Sequence, residues 1–238
     1  MEWNDEGILL ASRPYGESFK VLQFFTKHNG LHNGLIRFSK KNNNFEIQPG
    51  NQFNIRWKAR LREHLGTFEL DLIKSRTSSF FINKNFLIAF NSITSLIISS
   101  LPERETYFNL YENTINLIDG LTISNDWLLN YVKWELLLLN ELGFGLDLSK
   151  CIVTGKSDNL KYVSPRSGCA VSEQAGENWK NKLLKLPTFL TEEQENSVTK
   201  NEIITGLKLT EYFLRKKVYF ESFEKNLPKS RDLFINSI

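Results

Sequence analysis

The sequence predicts an α+β protein: an N-terminal OB-fold β-barrel over residues 1–80, then an all-helical domain over 81–238 with a metal-less, zinc-knuckle-like insertion at 151–176. Three observations predict it. Up to about residue 80, short apolar runs of strand length are punctuated by Gly and Pro turn signals. From Phe80 onward, apolar residues recur at helical spacing. Within the second part, CIVTGKSDNLKYVSPRSGCAVSEQAG has the two short arms of a knuckle. It reads Cys151-x-x-Thr154 and Ser172-x-x-Ala175, where such sites carry Cys-x-x-Cys pairs for tetrahedral zinc.

The strands follow in order. Gly7–Arg13 is closed by the turn signal Pro14-Tyr-Gly16, Phe19–Thr26 is a second strand, and a third starts at Gly30 after a glycine turn. Lys40-Lys-Asn-Asn-Asn44 is a polar loop and Pro49-Gly50 a further turn. Strands then cover Phe53–Leu61 and Gly66–Ile73. Five short strands in about eighty residues suit a small Greek-key barrel. Phe86–Leu101 is too short, and with its Ser, Thr and Asn residues too polar, to span a bilayer, so it reads as a buried core helix. Leu110, Ile115, Leu117, Ile118 and Leu121 give the next helix. Asn125-Asp126 caps a third that runs from Trp127 to a stop at Gly143. Thr191-Glu-Glu-Gln resembles a capping box, and Ile203–Phe223 reads as a final amphipathic helix.

Charge is divided along the chain. Residues 1–80 hold 12 Lys/Arg against 8 Asp/Glu, residues 81–150 hold 4 against 8, and residues 151–238 hold 14 against 11. A basic first third and an acidic middle point to different tasks for different regions. Two cysteines 18 positions apart make no disulfide framework, and the acidic N-terminus lacks the order of a signal peptide, so a cytoplasmic protein is expected.

Catalytic groups are hard to find. His28-Asn-Gly-Leu-His32 has the spacing of a helical metal pair, but its glycine and strand context assign it a turn or surface role. No phosphate-binding Gly-x-x-x-x-Gly-Lys loop is present, and Gly143-Phe-Gly145 alone is too weak to mark a nucleotide site. The expectation is therefore a binding protein with no catalytic residues, no metal and no cofactor.

The strongest positive signal is NIRWKARLR, residues 54–62. Arg56, Lys58, Arg60 and Arg62 alternate with Ile55, Trp57, Ala59 and Leu61. On one strand, that puts four cations in a line roughly 6.6 Å apart, with the apolar set facing the barrel interior. Arg37, Lys40 and Lys41 extend the line. Such a stripe suits a phosphate backbone, contacted without regard to base sequence. The competing reading is a solvated face balanced by acids such as Glu69 and Asp71.

At this point the chain resembles the RecO family of bacterial recombination mediators. The match is carried by Gly7-Ile-Leu-Leu10, Arg13-Pro-Tyr-Gly-Glu-Ser18, Thr26 with Gly30, Gln48-Pro-Gly50 and Leu65-Gly66. It continues through Glu141-Leu-Gly-Phe144, Leu148, Cys151, Ser164-Pro165, Gly168 and the closing Ser230-Arg231. The resemblance implies binding of single- and double-stranded DNA and annealing of complementary strands. It also implies contacts with RecR and with the C-terminal tail of single-strand-binding protein, which together help load RecA in the RecF pathway. Zinc-bearing relatives place ligands at positions corresponding to Cys151, Thr154, Ser172 and Ala175, so three of four are replaced here, and Cys151 is expected to be a buried apolar residue.

In the helical domain, Ile204, Leu207, Leu214 and Val218 form an apolar stripe beside Arg215, Lys216 and Lys217. The stripe is either core with solvated cations nearby or a groove with a basic rim suited to an acidic, apolar-ended peptide. For the protein as a whole, an RNA-binding barrel and a purely protein-binding adaptor stand as alternatives, since a phosphate-reading barrel does not by itself distinguish sugars.

Overall fold

The structure, a computed structural model, describes residues 1–37, 47–61, 63–76, 80, 84–191, 198–222 and 225–238. Five strands, β1 (Glu2–Tyr15), β2 (Phe19–Thr26), β3 (Gly30–Arg37), β4 (Gln52–Lys58) and β5 (Thr67–Lys74), close into a barrel in the order β1-β2-β3-β5-β4. β1 extends further toward the N-terminus than the expected Gly7–Arg13. Glu2–Ile8 pair with β4 while Gly7–Tyr15 pair with β2, and an irregularity between Leu9 and Ala11 bends the strand between its two neighbours. A parallel pair, Leu35 with Thr67, closes the barrel. Its interior is filled by Leu9, Leu22, Phe24, Phe53, Ile55, Trp57 and Phe68.

The helices are α1 (Lys84–Ser100), α2 (Phe108–Gly120), α3 (Trp127–Glu141), α4 (Glu173–Gly176), α5 (Lys200–Phe213) and α6 (Lys229–Ile235). α1 is the buried helix expected from Phe86–Leu101, with Ala89, Phe90, Ile93, Leu96 and Ile97 inside. Its hydroxyls are accommodated because they bond back to helix carbonyls, as Ser100 Oγ does to Leu96 O at 2.7 Å. No described helix is long and apolar enough to cross a membrane.

The chain forms two compact units, Met1–Thr122 with Pro228–Ile238, and Ile123–Leu227. Strand gives way to helix near residue 80, as expected, but α1, α2 and α6 belong to the same unit as the barrel. Polar contacts explain the grouping. Buried Arg76, just past β5, donates to both carboxylate oxygens of Asp119 on α2 at 2.6 and 3.2 Å and to Gln52 Oε1 at 2.8 Å. Gln52 in turn donates to Tyr111 Oη at 3.3 Å.

In the second unit α3 packs on α5, and Thr210 Oγ1 donates to the fully buried Glu135. Asp126 occupies the N-cap of α3 but makes no side-chain cap bond. The capping box lies at Thr199 and Glu202, which bond each other's backbone N–H groups at 3.0 and 3.3 Å. Of the Thr191-Glu-Glu-Gln expected to cap, residues 192–194 lie outside the described residues. The final helix departs from expectation in kind: α5 passes at Leu214 into a π-helical segment, Leu214–Ser222.

The knuckle region adds strand to a domain expected to be all-helical. β6 (Leu160–Val163), β7 (Ala170–Ser172) and β8 (Leu184–Lys185) make a sheet in the order β7-β6-β8. Each arm is a tight turn. Gly155 N–H bonds Cys151 O at 2.8 Å, and Gly168 N–H bonds Ser164 O at 2.9 Å.

Candidate nucleic-acid interface

β4 alternates as its sequence requires: Ile55 and Trp57 are buried, Arg56 is exposed and Lys58 half-exposed on the outer face. The strand ends at Lys58, short of the expected Leu61. After Ala59 the chain bends, with His64 N–H on Leu61 O at 3.2 Å, and Leu65 O accepts from Trp57 Nε1 at 3.0 Å. Arg60 is therefore exposed just beyond the strand, and Leu61, expected inside, is 47% exposed. Arg37 is exposed at the end of β3. Lys40, Lys41 and Arg62 lie outside the described residues.

The cations of β4 face acids on both neighbouring strands. Arg56 pairs with Glu2 of β1 and with Glu69 of β5 at 3.6 Å, and Lys58 pairs with Glu69 at 2.8 Å. These interactions raise the pKa of Arg56, chiefly through the Glu2 hydrogen bond, and lower that of Glu69, chiefly through Lys58. All are solvent-exposed pairs of the kind that hold little net energy, so a phosphate can replace a carboxylate at small cost. Beyond Arg56 toward Gln52 the surroundings turn acidic, with Asp5, Glu6 and Asp71 around a groove of about 600 Å³. Toward Lys58 they turn basic: Arg60 makes no ion pair among the described residues.

The two histidines separate. His28 stays in the β2–β3 turn, stacked on Phe108 with centroids 5.7 Å apart. His32, expected at a turn or on the surface, is buried, because β3 already runs from Gly30 and directs this side chain inward.

In the second unit, the apolar stripe is core: Leu207, Leu214 and Val218 are buried. The cations sit on another face. A cavity of about 490 Å³ is lined by Leu184, Lys208, Glu211, Tyr212, Arg215 and Lys216. Four of these lie at helical spacing on one face, positions 208, 211, 212 and 215, a pattern present in the sequence but overshadowed by the stronger apolar stripe. Arg215 bonds Glu211 at 3.0 Å, and Lys216 bonds Tyr212 Oη at 3.1 Å while lying 5.5 Å from its ring centroid. Lys217 is not among the cavity's lining residues and pairs with Glu221 at 2.7 Å.

At the knuckle, Cys151 is fully buried. Its Sγ accepts from Ser172 N–H at 3.2 Å. Burial raises the thiol pKa, but hydrogen bonds from Ser172 and Thr154 outweigh it and bring the value down to about 6. Thr154 and Ser172 therefore lie beside Cys151. One thiol, two hydroxyls and an alanine are not a donor set for tetrahedral zinc, so the residues present do not fit that metal.

Comparison with known proteins agrees with this architecture on both halves. Residues 1–76 match the family model for the N-terminal part of recombination protein O, and residues 86–225 match that for its C-terminal part. The chain belongs to the RecO family. Relatives described as DNA repair protein RecO include one from a Ruegeria species, 38% identical over 239 residues covering 100% of this chain and 98% of the relative. One from Wolbachia sp. subsp. Drosophila simulans is 39% identical, covering 99% of this chain and 100% of the relative. One from Rickettsia canadensis is 41% identical over 219 residues, covering 92% of this chain and 90% of the relative. The join between the two RecO family models, residues 77–85, falls where strand gives way to helix.

Proposed function

We propose that this RecO-family chain is a cytoplasmic DNA repair and recombination mediator. In this reading it binds single- and double-stranded DNA, anneals complementary strands and, with RecR and single-strand-binding protein, helps load RecA. It has no catalytic step of its own. The observation that carries the reading is the basic end of β4, where Arg56, Lys58 and Arg60 reach solvent on a barrel whose strand order suits nucleic-acid binding. Exposed cations there neutralise phosphates while Ile55 and Trp57 anchor the strand from inside. The groove of Leu184, Lys208, Glu211, Tyr212, Arg215 and Lys216 supports a second role: with three cations against the one acid Glu211, and Leu184 and Tyr212 as apolar surface, it fits the acidic, apolar-ended tail of single-strand-binding protein.

The test is annealing of complementary oligonucleotides coated with single-strand-binding protein. The protein is expected to accelerate duplex formation over the spontaneous rate, and to bind matched DNA more tightly than RNA. Tighter binding to RNA would favour an RNA module, and binding to neither at low salt would favour a protein-only adaptor.

A further inference from the structure

At the Lys58 end of the barrel, a cavity of about 400 Å³ has Met1, Glu2, Trp3, Asn29, His32, Trp57 and Arg104 on its walls. Trp3 and Trp57 are register partners on β1 and β4, stacked with centroids 5.6 Å apart and planes at 18°. His32 stands edge-on to both, at 5.0 and 4.9 Å. Its side chain is 3% exposed, and neither ring nitrogen has a hydrogen-bond partner among the described residues. Buried polar atoms are almost always bonded, so an imidazole left with two open positions on a cavity wall points to an occupant that supplies the partner. Arg104 holds its place there in a left-handed conformation, φ +65°, that non-glycine residues seldom adopt. Its backbone N–H bonds Leu31 O at 2.9 Å and its guanidinium bonds His64 O at 3.3 Å. Strain of this sort collects at ligand clamps.

We propose that this cavity takes one unstacked nucleobase of a single DNA strand, laid against Trp3 and hydrogen-bonded by His32. The proposal rests on the DNA-binding reading above and names the part of the strand that the barrel end receives. Three features select a nucleobase. Trp3 is partly exposed, leaving an indole face for a planar ring, while Trp57 backs it. Burial, with Arg104 nearby, pulls the His32 pKa down to about 4, so the ring is neutral at pH 7 with one donor and one acceptor. Every base edge carries acceptors or donors that one tautomer or the other can meet, which makes the pocket tolerant of sequence. Finally, Lys58 lies opposite Glu2 in the ladder, one position from the Trp3–Trp57 pair, so the cations for the phosphates and the pocket for the base share one end of the barrel.

The experiment measures binding of the full chain to oligothymidylate and to an equally long strand in which abasic sugars replace every nucleotide's base. Backbone interactions are the same in both. The base-bearing strand is expected to bind tenfold to a hundredfold more tightly at fixed salt, roughly the range one stacked and bonded base supplies. His32→Phe, which keeps an aromatic filler, and Trp3→Leu, which keeps an apolar one, are expected to shrink that difference to within about threefold while binding to the abasic strand stays unchanged. Equal affinity of the unmodified protein for the two strands would overturn the proposal while leaving backbone binding intact. A difference that survives both substitutions would place the base elsewhere and overturn it too. Failure to bind either strand would remove the DNA-binding reading along with it.

Discussion

Gly30 and Gly16 both hold left-handed backbone, at φ +64° and +63°, yet they make different demands. A Cβ at Gly30 would come within 1.8 Å of the Glu105 carbonyl oxygen, whereas one at Gly16 would meet nothing within 4 Å. Gly16→Ala should therefore cost only the backbone penalty, on the order of 1 kcal/mol. Gly30→Ala should cost several times that, because the 102–107 loop must leave β3; equal melting temperatures for the two variants would contradict this. Asp119 gives the pH counterpart. Burial raises its pKa, but hydrogen bonds from Arg76 and Lys74 prevail and hold it below the usual carboxylate range. Its folded value is depressed, so its contribution is complete above the unfolded pKa of about 4 and is lost as pH falls through the folded one. Asp119→Ala, which leaves the guanidinium of buried Arg76 without its carboxylate, should lower stability by about 3 kcal/mol at pH 7 and much less near pH 2, read by denaturant melts.

At the scale of elements, the sequence reading of residues 151–176 as a knuckle without its zinc ligands can be tested directly. Thr154→Cys, Ser172→Cys and Ala175→Cys made together should create a site that binds one zinc per chain and raises the melting temperature. In the natural sequence a chelator should leave melting unchanged. Elemental analysis finding tight zinc in the natural protein, or none in the triple variant, would contradict this account. A similar contrast separates neighbours in the π-helical segment. Arg215→Glu should weaken an acidic tail peptide about tenfold by calorimetry, while Lys217→Glu should change it little, because Arg215 lines the cavity and Lys217 does not. Strand alternation around Trp57 and the buried helix at Phe86–Leu101 were both legible in the sequence, since each is a local pattern. The inward turn of His32 was not, because it depends on where β3 begins; of the carboxylates facing Arg56 and Lys58, Glu69 is the acid the competing reading names, whereas Glu2 was not legible because it depends on the register of β1 against β4. The Lys208–Tyr212–Arg215 face was present but overshadowed by the apolar residues interleaved with it.

Across the whole molecule, several cations of residues 1–80 are paired within the barrel unit, Arg56 and Lys58 with Glu2 and Glu69, and Lys74 and Arg76 with Asp119. In the proposed reading, DNA binding depends on a few cations near one strand end rather than on total charge. The most direct test of that claim is the salt dependence of single-strand binding after Arg56, Lys58, Arg60 and Arg62 are changed together to Gln. Every phosphate left without its cation should take roughly 0.7 off the slope of log affinity against log salt, so the slope should fall by up to about 2.8. Affinity should drop at every base sequence while circular dichroism stays that of the folded protein, because Ile55 and Trp57 on the inner face are untouched. Unchanged affinity and an unchanged slope in the folded variant would mean that these side chains answer only to Glu2, Glu69 and water, and would take β4 out of the DNA path.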